Sequence, residues 1–409
     1  MAVPGDVDVQ FKIGNIDTSG LVLMGCNVYE SCIDHHTYAD ITVLDSNDAL
    51  GQGQLSGDEE VSINIDVPGG NGQGANFKLA LLQNADMKHT GANKAKIYQL
   101  RCCSPELLKS RSKAVNKSYN DQTSNIVKDV VENYWGSDKQ LNVEQETKGK
   151  QRILGNSRNP HEFIKSLHNR HVSQNYEEDG SCFSLFERRN NGEQEIVFTT
   201  FKKMMDKDMG IGFEYTQDPS VGNKTTTSGD DYKNIINFNV PASFFTPYRY
   251  NAASGRNSYN LASGKQQKED NEFKDFQLPT ANQSPIRKEK QTTNEPQKDQ
   301  KDQLYTFVDP ANDKEQTYIT QSKSYKQAMI ARLQNDTGVM EVNGNPDITV
   351  GKTMKLNIPN KSDGASGGDQ EKQITAKVLA LRVKHMIKPA GQVPRYTTVV
   401  EFMKGGFDE

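Results

Sequence analysis

The first hundred residues consist of short runs in which apolar and polar residues alternate, and this pattern limits the fold more than any other feature of the chain. Alternation with a period of two is typical of β-strands that bury one face. Clusters of Gly, Asn and Asp separate the runs and no helical pattern intervenes, so we expect a small antiparallel barrel or sandwich rather than a parallel sheet. The Gly-rich segment 67–76 is interpreted as a flexible hairpin loop, because no βαβ pattern follows it. The six runs are DVDVQFKIG, LVLMGCNVYES, YADITVLDS, EEVSINIDV, NFKLALLQN and AKIYQLRCC.

The last hundred residues return to the same alternating pattern and predict a second small antiparallel β-domain. Gly351 lies where a pair of strands must turn tightly. Four strands are too few to close a barrel, so we expect strands from about 196–240 to complete it. A helix is predicted over 322–335, and 360–370 is interpreted as a solvated hairpin tip. The four runs are GVMEVNG, KTMKLNIP, KQITAKVLALRVKHMI and PRYTTVVEFM.

A mixed α+β module lies between these β-domains. Helix starts are indicated at Ser104 and Asn159, because each is followed by proline at the first helical position and by a glutamate. Another helix, predicted from Asp121 to Tyr134, stops at Gly136. Next comes a predicted hairpin, Cys182–Glu187 with Glu195–Phe201, whose tip RRNNGEQ contains the Asn-Gly pair that tight turns favour.

The segment that follows the module carries weaker signals. DYKNIINFNV predicts one strand, whereas residues 264–303 are dominated by Lys, Gln, Glu, Asp and Asn. Such a run cannot bury enough apolar surface to fold alone, so we expect an extended arm or a partly disordered loop. The chain therefore divides into a first barrel domain at 1–103, a peripheral module at 104–210, partial strands and a polar arm at 211–304, and a second barrel domain at 305–409.

Composition argues against several classes of function. A chain of 409 residues fits two to four domains. No window approaches the ~18 apolar residues of a membrane span, and the N-terminus MAVPGDVDVQ lacks a signal-peptide pattern. We therefore expect a soluble chain without a membrane anchor, made in a cytoplasm. Its net charge of −4, without a dense basic run, gives little support to nucleic-acid binding.

The cysteines and two neighbouring histidines form the only group with metal-binding character. The five cysteines are odd in number, which favours reduced, buried thiols over a disulfide framework. Cys26 and Cys32 are six positions apart on a predicted strand, where their side chains would lie roughly 20 Å from each other. We therefore expect no shared metal ion, and we interpret His35 and His36 as an exposed pair.

The remaining candidate groups fit structural roles better than catalytic ones. No GxSxG, Walker A or HExxH pattern occurs, so we expect no enzymatic activity, no cofactor and no metal, and we assign no catalytic or binding residue. The histidines of the third helix should be solvated or half-buried, with the last two at i, i+3, and the paired carboxylates should be solvated. An apolar helix face beside the single tryptophan is interpreted as core rather than as a docking surface. These residues are His161, His168 and His171; Glu144 with Glu146; Asp230 with Asp231; and Ile126, Val127, Val130, Val131, Tyr134 and Trp135.

Four motifs in this order resemble the baseplate central hub proteins of contractile-tailed phages of the T-even-like kind, a family related to gene D tail proteins and to the N-terminal regions of type VI secretion spikes. The motifs are LDSNDALGQGQLSGDEEVSINI, then SPELLKSRSKAVNKSYNDQTSNIVKDVV, then RNPHEFIKSLHNRHVS with CFSLFERRNNGEQEIVF, and finally GNPDITVGKTMKL. The likeness covers most of 1–210 and 305–405 and is weakest over 215–303.

The resemblance implies a mainly β chain with two tail-tube-like barrels and an α+β module on the outside. Three such chains would place six barrels in a pseudo-sixfold ring that adapts the sixfold tail tube to the threefold cell-puncturing spike and leaves a channel for DNA. The implied partners are two further copies of the chain, the tail spike, tail tube or tube-initiator proteins, the tape measure protein and baseplate wedge proteins, with DNA only passing through. The implied location is the virion tail baseplate. The chain ends without a lysozyme module or a β-helix, so we expect the spike to be a separate chain. The alternatives are an N-terminal-type component of a secretion or tail-spike complex, and a tail-associated hydrolase.

Overall fold

The computed structural model describes residues 7–53, 55–67, 74–89, 95–174, 181–214, 232–240, 254–260, 265–271, 304–309, 326, 337–359, 373–390 and 393–407. The strands are β1 Asp8–Ile13, β2 Leu21–Ser31, β3 Tyr38–Asp45, β4 Glu60–Asp66, β5 Ala75–His89, β6 Lys96–Cys103, β7 Ser118–Gln122, β8 Leu141–Val143, β9 Lys150–Leu154, β10 Phe183–Asn190, β11 Glu193–Thr200, β12 Asp208–Glu214, β13 Tyr232–Asn239, β14 Ser254–Asn260, β15 Lys265–Asn271, β16 Leu304–Asp309, β17 Thr337–Asn343, β18 Thr353–Pro359, β19 Gln373–Ala390 and β20 Val393–Phe407. The α-helices are α1 Ala49–Gln52, α2 Pro105–Arg111, α3 Thr123–Val130, α4 Pro160–Leu167 and α5 Phe201–Met205.

The first barrel consists of β1 to β6, which match the six alternating runs of the sequence. The strands pair antiparallel in the order β1-β4-β5-β6-β3-β2. Alternate residues point inward, as Val61, Ile63 and Ile65 of β4 do, and they are at most 1% exposed. Within the described part of the chain β1 and β2 do not pair with each other. The short helix α1, between β3 and β4, is absent from the sequence-based prediction.

The second barrel consists of β12, β13, β17, β18, β19 and β20, whose pairings form a closed cycle. The prediction of a mainly β chain with two small barrels and an α+β module is confirmed. The second barrel differs from the predicted antiparallel domain in one detail, because β12 runs parallel to both of its neighbours, β13 and β18. The other four pairings are antiparallel. A parallel neighbour leaves the period-two pattern unchanged, so alternation alone could not show the direction of β12.

The two barrels share one strand order. When the six strands of each barrel are numbered from 1 to 6 in chain order, the same strands are neighbours in both barrels: 1 with 4, 4 with 5, 5 with 6, 6 with 3, and 3 with 2. In the second barrel strand 1 also pairs with strand 2. They also share one sheet, because β2 of the first barrel pairs antiparallel with β19 of the second. The barrels therefore lie side by side within one twelve-stranded sheet.

The peripheral module has a core of its own. Its sheet has the order β10-β11-β8, β7 pairs with β9, and the helices α3 and α4 cover one face. Helix α3 begins at Thr123 rather than at the predicted Asp121, because Ser118–Gln122 forms a strand, and a π-helical turn extends it to Trp135. Gly136 ends it with a φ of 58°, in the left-handed region that the predicted glycine stop requires.

The start of the predicted polar arm is a paired strand. Lys265–Asn271 forms β15 of a three-stranded sheet in the order β15-β14-β16. Backbone pairing with β14, which alternation did not reveal in so polar a run, supplies the hydrogen bonds. The rest of the predicted arm, 272–303, lies outside the described residues. Most of the predicted hairpin loop 67–76, the predicted hairpin tip 360–370 and the predicted helix 322–335, apart from the helical residue 326, also lie outside them.

Gly351 provides a test of how tightly the module packs against the second barrel. Its φ is +72°, and a Cβ atom there would lie 2.5 Å from Cζ of Phe186 on β10. Gly351→Ala is therefore expected to cost about 2–4 kcal/mol, which combines left-handed backbone strain with overpacking. Gly210 has a φ of +71°, and a Cβ atom added there would meet no atom within 4 Å. Gly210→Ala should cost only about 1–2 kcal/mol in urea unfolding, and equal losses for the two variants would contradict the packing argument.

Candidate functional site

The β10–β11 hairpin lies where the module and the two barrels meet. One face of the hairpin contributes Phe183 and Phe198 to the module core, and the other contributes Phe186 and Val197 to the second-barrel core. Every residue of β10 except Asn190 is buried. Because close-packed side chains on its two faces belong to two different cores, β10 holds the module in a fixed position relative to the barrels.

The predicted hairpin is present, but its predicted tip is wrong. The strands continue to Asn190 and Glu193, and the turn is formed by Asn191 and Gly192 with φ of 52° and 84°. Two positive φ values make this the type I′ turn that suits a two-residue hairpin. Arg188 and Arg189 therefore belong to β10 and are buried, although the sequence places them in a solvated tip.

Arg189 joins the hairpin to both barrels. Its Nε and Nη2 donate to Oε1 and Oε2 of Glu30 on β2, at 3.0 and 2.9 Å. Nη2 also donates to the carbonyl of Ile348 at 2.6 Å, and Nη1 donates to the carbonyl of Pro346. The Glu30 carboxylate contacts Nε2 of His385 on β19 at 3.0 Å. One buried guanidinium thus binds the first barrel bidentately and the second barrel through two carbonyls.

The protonation states at this junction follow from its charges. Burial alone raises the pKa of Glu30, but the Arg189 charge and the hydrogen bond with His385 outweigh it and lower that pKa to about 2. Burial lowers the pKa of His385, so its ring is neutral at pH 7. In the neutral ring Nε2 can donate to Glu30 while Nδ1 accepts from the Tyr396 hydroxyl at 2.6 Å, and Nε2 also lies 3.0 Å from Nη2 of Arg189.

Arg188, on the opposite face of β10, forms a second buried network. Its Nη2 lies 2.6 Å from Oε1 of Glu195 and 2.9 Å from Oε1 of Glu144. Glu144 also binds Lys207, just before β12 of the second barrel. Burial raises the pKa of Glu144, but Lys207 and Arg188 outweigh it and lower that pKa. Glu144 was expected to be solvated, whereas its side chain is 4% exposed, because these two cations hold it inside. Glu146 is exposed as expected, and Asp230 and Asp231 lie outside the described residues.

Glu187 forms the third network, between the module and the first barrel. Its Oε2 lies 3.1 Å from Nζ of Lys139 and accepts from the Ser104 hydroxyl, while its Oε1 lies 3.4 Å from Nδ1 of His36. Burial raises the pKa of Glu187, but Lys139 and His36 outweigh it and lower that pKa to about 2. Lys139 also contacts Glu106 of α2 at 3.0 Å. Of these three consecutive residues of β10, Glu187 therefore joins the module to the first barrel, Arg188 is linked through Glu144 to Lys207 before the second barrel, and Arg189 contacts both barrels.

The cysteine and histidine group predicted on β2 is divided between two cores. Cys26 packs in the first-barrel core and Cys32 in the second-barrel core. Burial raises the pKa of Cys26 to about 12, as expected for an unreactive thiol. The prediction of an exposed histidine pair is wrong, because His36 is 2% exposed and half-buried His35 donates through Nδ1 to the Leu185 carbonyl at 2.6 Å.

A cluster of aromatic and imidazole rings lies between the first barrel and α4. The ring centroids of His35 and His161 are 4.8 Å apart, and those of His36 and Trp135 are 4.9 Å apart. Burial is the main cause that lowers the pKa of His35 to about 4 and of His161 to about 3. Neutral imidazoles therefore pack here as aromatic side chains.

Of the other two histidines, His168 is exposed as expected, whereas the burial of His171 contradicts the expectation. Helix α4 ends at Leu167, so His168 lies in a 3-10 turn and His171 in extended backbone. His171 is buried against Phe183 and Phe198, with ring centroids 5.6 and 5.1 Å away. Within the part of the chain that the structure describes, no group of three or more His, Cys, Asp or Glu is placed to hold a metal ion. The absence of a catalytic, cofactor or metal site stays a prediction.

The apolar face of α3 forms core, as predicted. Ile126, Val127, Val130 and Val131 are at most 1% exposed and Trp135 is fully buried, all within the module core. A surface available for a partner must therefore lie elsewhere. Among the described helices, none combines the length and apolar character needed to cross a bilayer.

Comparison with known proteins identifies the fold. No family model and no curated protein matches the chain. The 43 kDa tail protein of prophage MuSo2 from Shewanella oneidensis matches it with a TM-score of 0.55 and 11% identity over 98% of each chain. A tail protein from Neisseria meningitidis MC58 matches with a TM-score of 0.54 and 10% identity, over 97% of this chain and 96% of the other. At these identities the likeness establishes the fold, so this chain has the architecture of these tail proteins.

Proposed function

We propose that the chain is the central hub of a contractile phage tail baseplate. Three copies would form a ring of six barrels that adapts the sixfold tail tube to the threefold spike and leaves an axial channel for DNA. The observation that carries the proposal is the shared strand order of two barrels that lie side by side in one sheet. Two like barrels per chain convert a threefold assembly into a pseudo-sixfold one, which a single barrel could not do.

The buried networks suit a mechanical role. Barrels in a ring must keep a fixed spacing, and Arg189 and Glu187 hold both barrels and the module through buried, charge-paired contacts. We propose domains at 1–103, 104–210, 211–304 and 305–409, with the module outside the ring. The partners would be the spike, tail tube or tube-initiator, tape measure and baseplate wedge proteins, and the location the virion tail. No enzymatic step is proposed.

The proposal is tested by the mass of the purified chain in solution. Size-exclusion chromatography with light scattering should give three times the mass of one chain, alone or after mixing with the spike protein. A strictly monomeric chain at high concentration, both alone and with the spike, would contradict the hub function.

A further inference from the structure

The two barrels correspond residue by residue along their fifth strands. The register between the fifth and sixth strands shifts between Leu81 and Gln83 in the first barrel, and between Ala380 and Arg382 in the second. Just before the shift, the Leu81 N–H donates to the Glu59 carbonyl at 2.8 Å. In the second barrel the Ala380 N–H donates to the Lys352 carbonyl at 3.0 Å. A bulge and a hydrogen bond at the same place make Leu81 equivalent to Ala380.

The second strands correspond in the same way. The register with the third strand shifts between Leu23 and Gly25 in the first barrel, and between Ile235 and Asn237 in the second. The bulged residues, Met24 and Ile236, are both exposed apolar side chains, at 38% and 43%. Counting from these bulges makes Asn239 of β13 equivalent to Asn27 of β2, since each belongs to the third pair after the shift.

The contact between barrels within one chain joins these same two strands. Cys26–Ser31 of β2 pairs antiparallel with Arg382–Ile387 of β19, beyond Leu379, the last residue of β19 that pairs with β18. Asn27 lies opposite Met386, and Val28 lies opposite His385, which is 0% exposed. The second strand of one barrel is thus added to the open edge of the fifth strand of the other.

We propose that this pairing recurs between copies of the chain, so that β13 of one copy adds antiparallel to β5 of the next. The pairing of β5 with β6 shifts a second time, between Asn84 and Asp86. When the paired residues of β6 are counted across this shift, Met87 is equivalent to His385 and Lys88 is equivalent to Met386. The pairing then places Asn239 opposite Lys88 and Val240 opposite Met87. Its closure into a ring of three rests on the proposed function.

The edges and the exposed side chains fit this contact. Beyond Leu81, β5 pairs only with β6, and beyond Asn234, β13 pairs only with β17, among the strands that the structure describes. Met87 is 45% exposed, whereas its counterpart His385, which lies at the contact within the chain, is fully buried. Open edges with apolar side chains favour pairing with another chain. A heterologous contact of this kind closes into a ring when its rotation allows.

A disulfide between copies tests the register. A chain with Lys88→Cys and Asn239→Cys, both at exposed positions, should form covalent dimers and trimers on mild oxidation, because opposite Cβ atoms on paired strands lie about 4.5–5.5 Å apart. Mixing the two single variants should give only a heterodimer. The matched control, Lys88→Cys with Asn237→Cys, displaces one thiol by two residues, roughly 7 Å, and should cross-link about tenfold less.

A second variant weakens the contact without touching the fold. Met87→Glu places a charge in the buried interface and should raise the dissociation constant of the assembly at least about tenfold, with an unchanged melting temperature of the dissociated monomer. The wild-type chain could form a trimer although the variant with Lys88→Cys and Asn239→Cys does not cross-link and Met87→Glu does not weaken the assembly. That result would overturn the proposed pairing and leave the hub function standing. Cross-linked rings of another number would support the pairing and contradict the trimeric hub.

Discussion

Replacing Arg189 by methionine is expected to lower the free energy of unfolding by about 3–5 kcal/mol, since it leaves the buried Glu30 carboxylate without its cation. Glu30 is 2% exposed and cannot turn to water, and two backbone carbonyls also lose their donor. The loss is measured by urea or guanidinium unfolding at pH 7.

Two controls separate the buried charge from lost packing. Arg382 binds Glu401 at 2.9 Å with 47% of its side chain exposed, so Arg382→Met should cost no more than about 1 kcal/mol. Adding Glu30→Gln to Arg189→Met should restore part of the stability, because it removes the unpaired charge. If the double variant is less stable than Arg189→Met alone, the account of the junction is wrong.

The stability of the protein is expected to fall by about 2–4 kcal/mol between pH 7 and pH 5, because histidines buried in the neutral form take up protons only on unfolding. The pKa is lowered from 6.5 to about 4 for His35 and to about 3 for His161. Unfolding therefore binds protons in this window, and stability is lost as pH falls below 6.5. Each such histidine contributes at most about 1.4 kcal/mol per pH unit, and the range given is reduced for the partial exposure of His161.

A single substitution isolates this effect. His161→Phe keeps a ring in the cluster, so it should reduce the difference in stability between pH 7 and pH 5 by about 1–2 kcal/mol. Unfolding curves at the two pH values measure it. An unchanged pH dependence would show that the imidazole of His161 is protonated in the folded chain. Below about pH 4.5 a second loss should follow as Glu30 and Glu187, with pKa near 2, bind protons on unfolding.

Ten of the strands could be predicted from the sequence because alternation is typical of strands that bury one face. The runs found by alternation match β1 to β6 and β17 to β20 closely, and the tail-protein fold follows from their arrangement. The buried charges could not be predicted in this way. Arg188 and Arg189 next to Asn-Gly are typical of a solvated turn, and only the tertiary fold brings Glu30 and Glu144 against them. Burial of His36 is hidden for the same reason, because Glu187 is 151 positions away.

A cryo-EM reconstruction of the purified assembly tests most directly whether two equivalent barrels per chain alternate around one axis. We expect a threefold ring in which six barrels of like shape alternate around an open channel, with the module of residues 104–210 on the outside. An axis filled by the chain's own core, or a ring in which the two kinds of barrel do not alternate, would contradict the account.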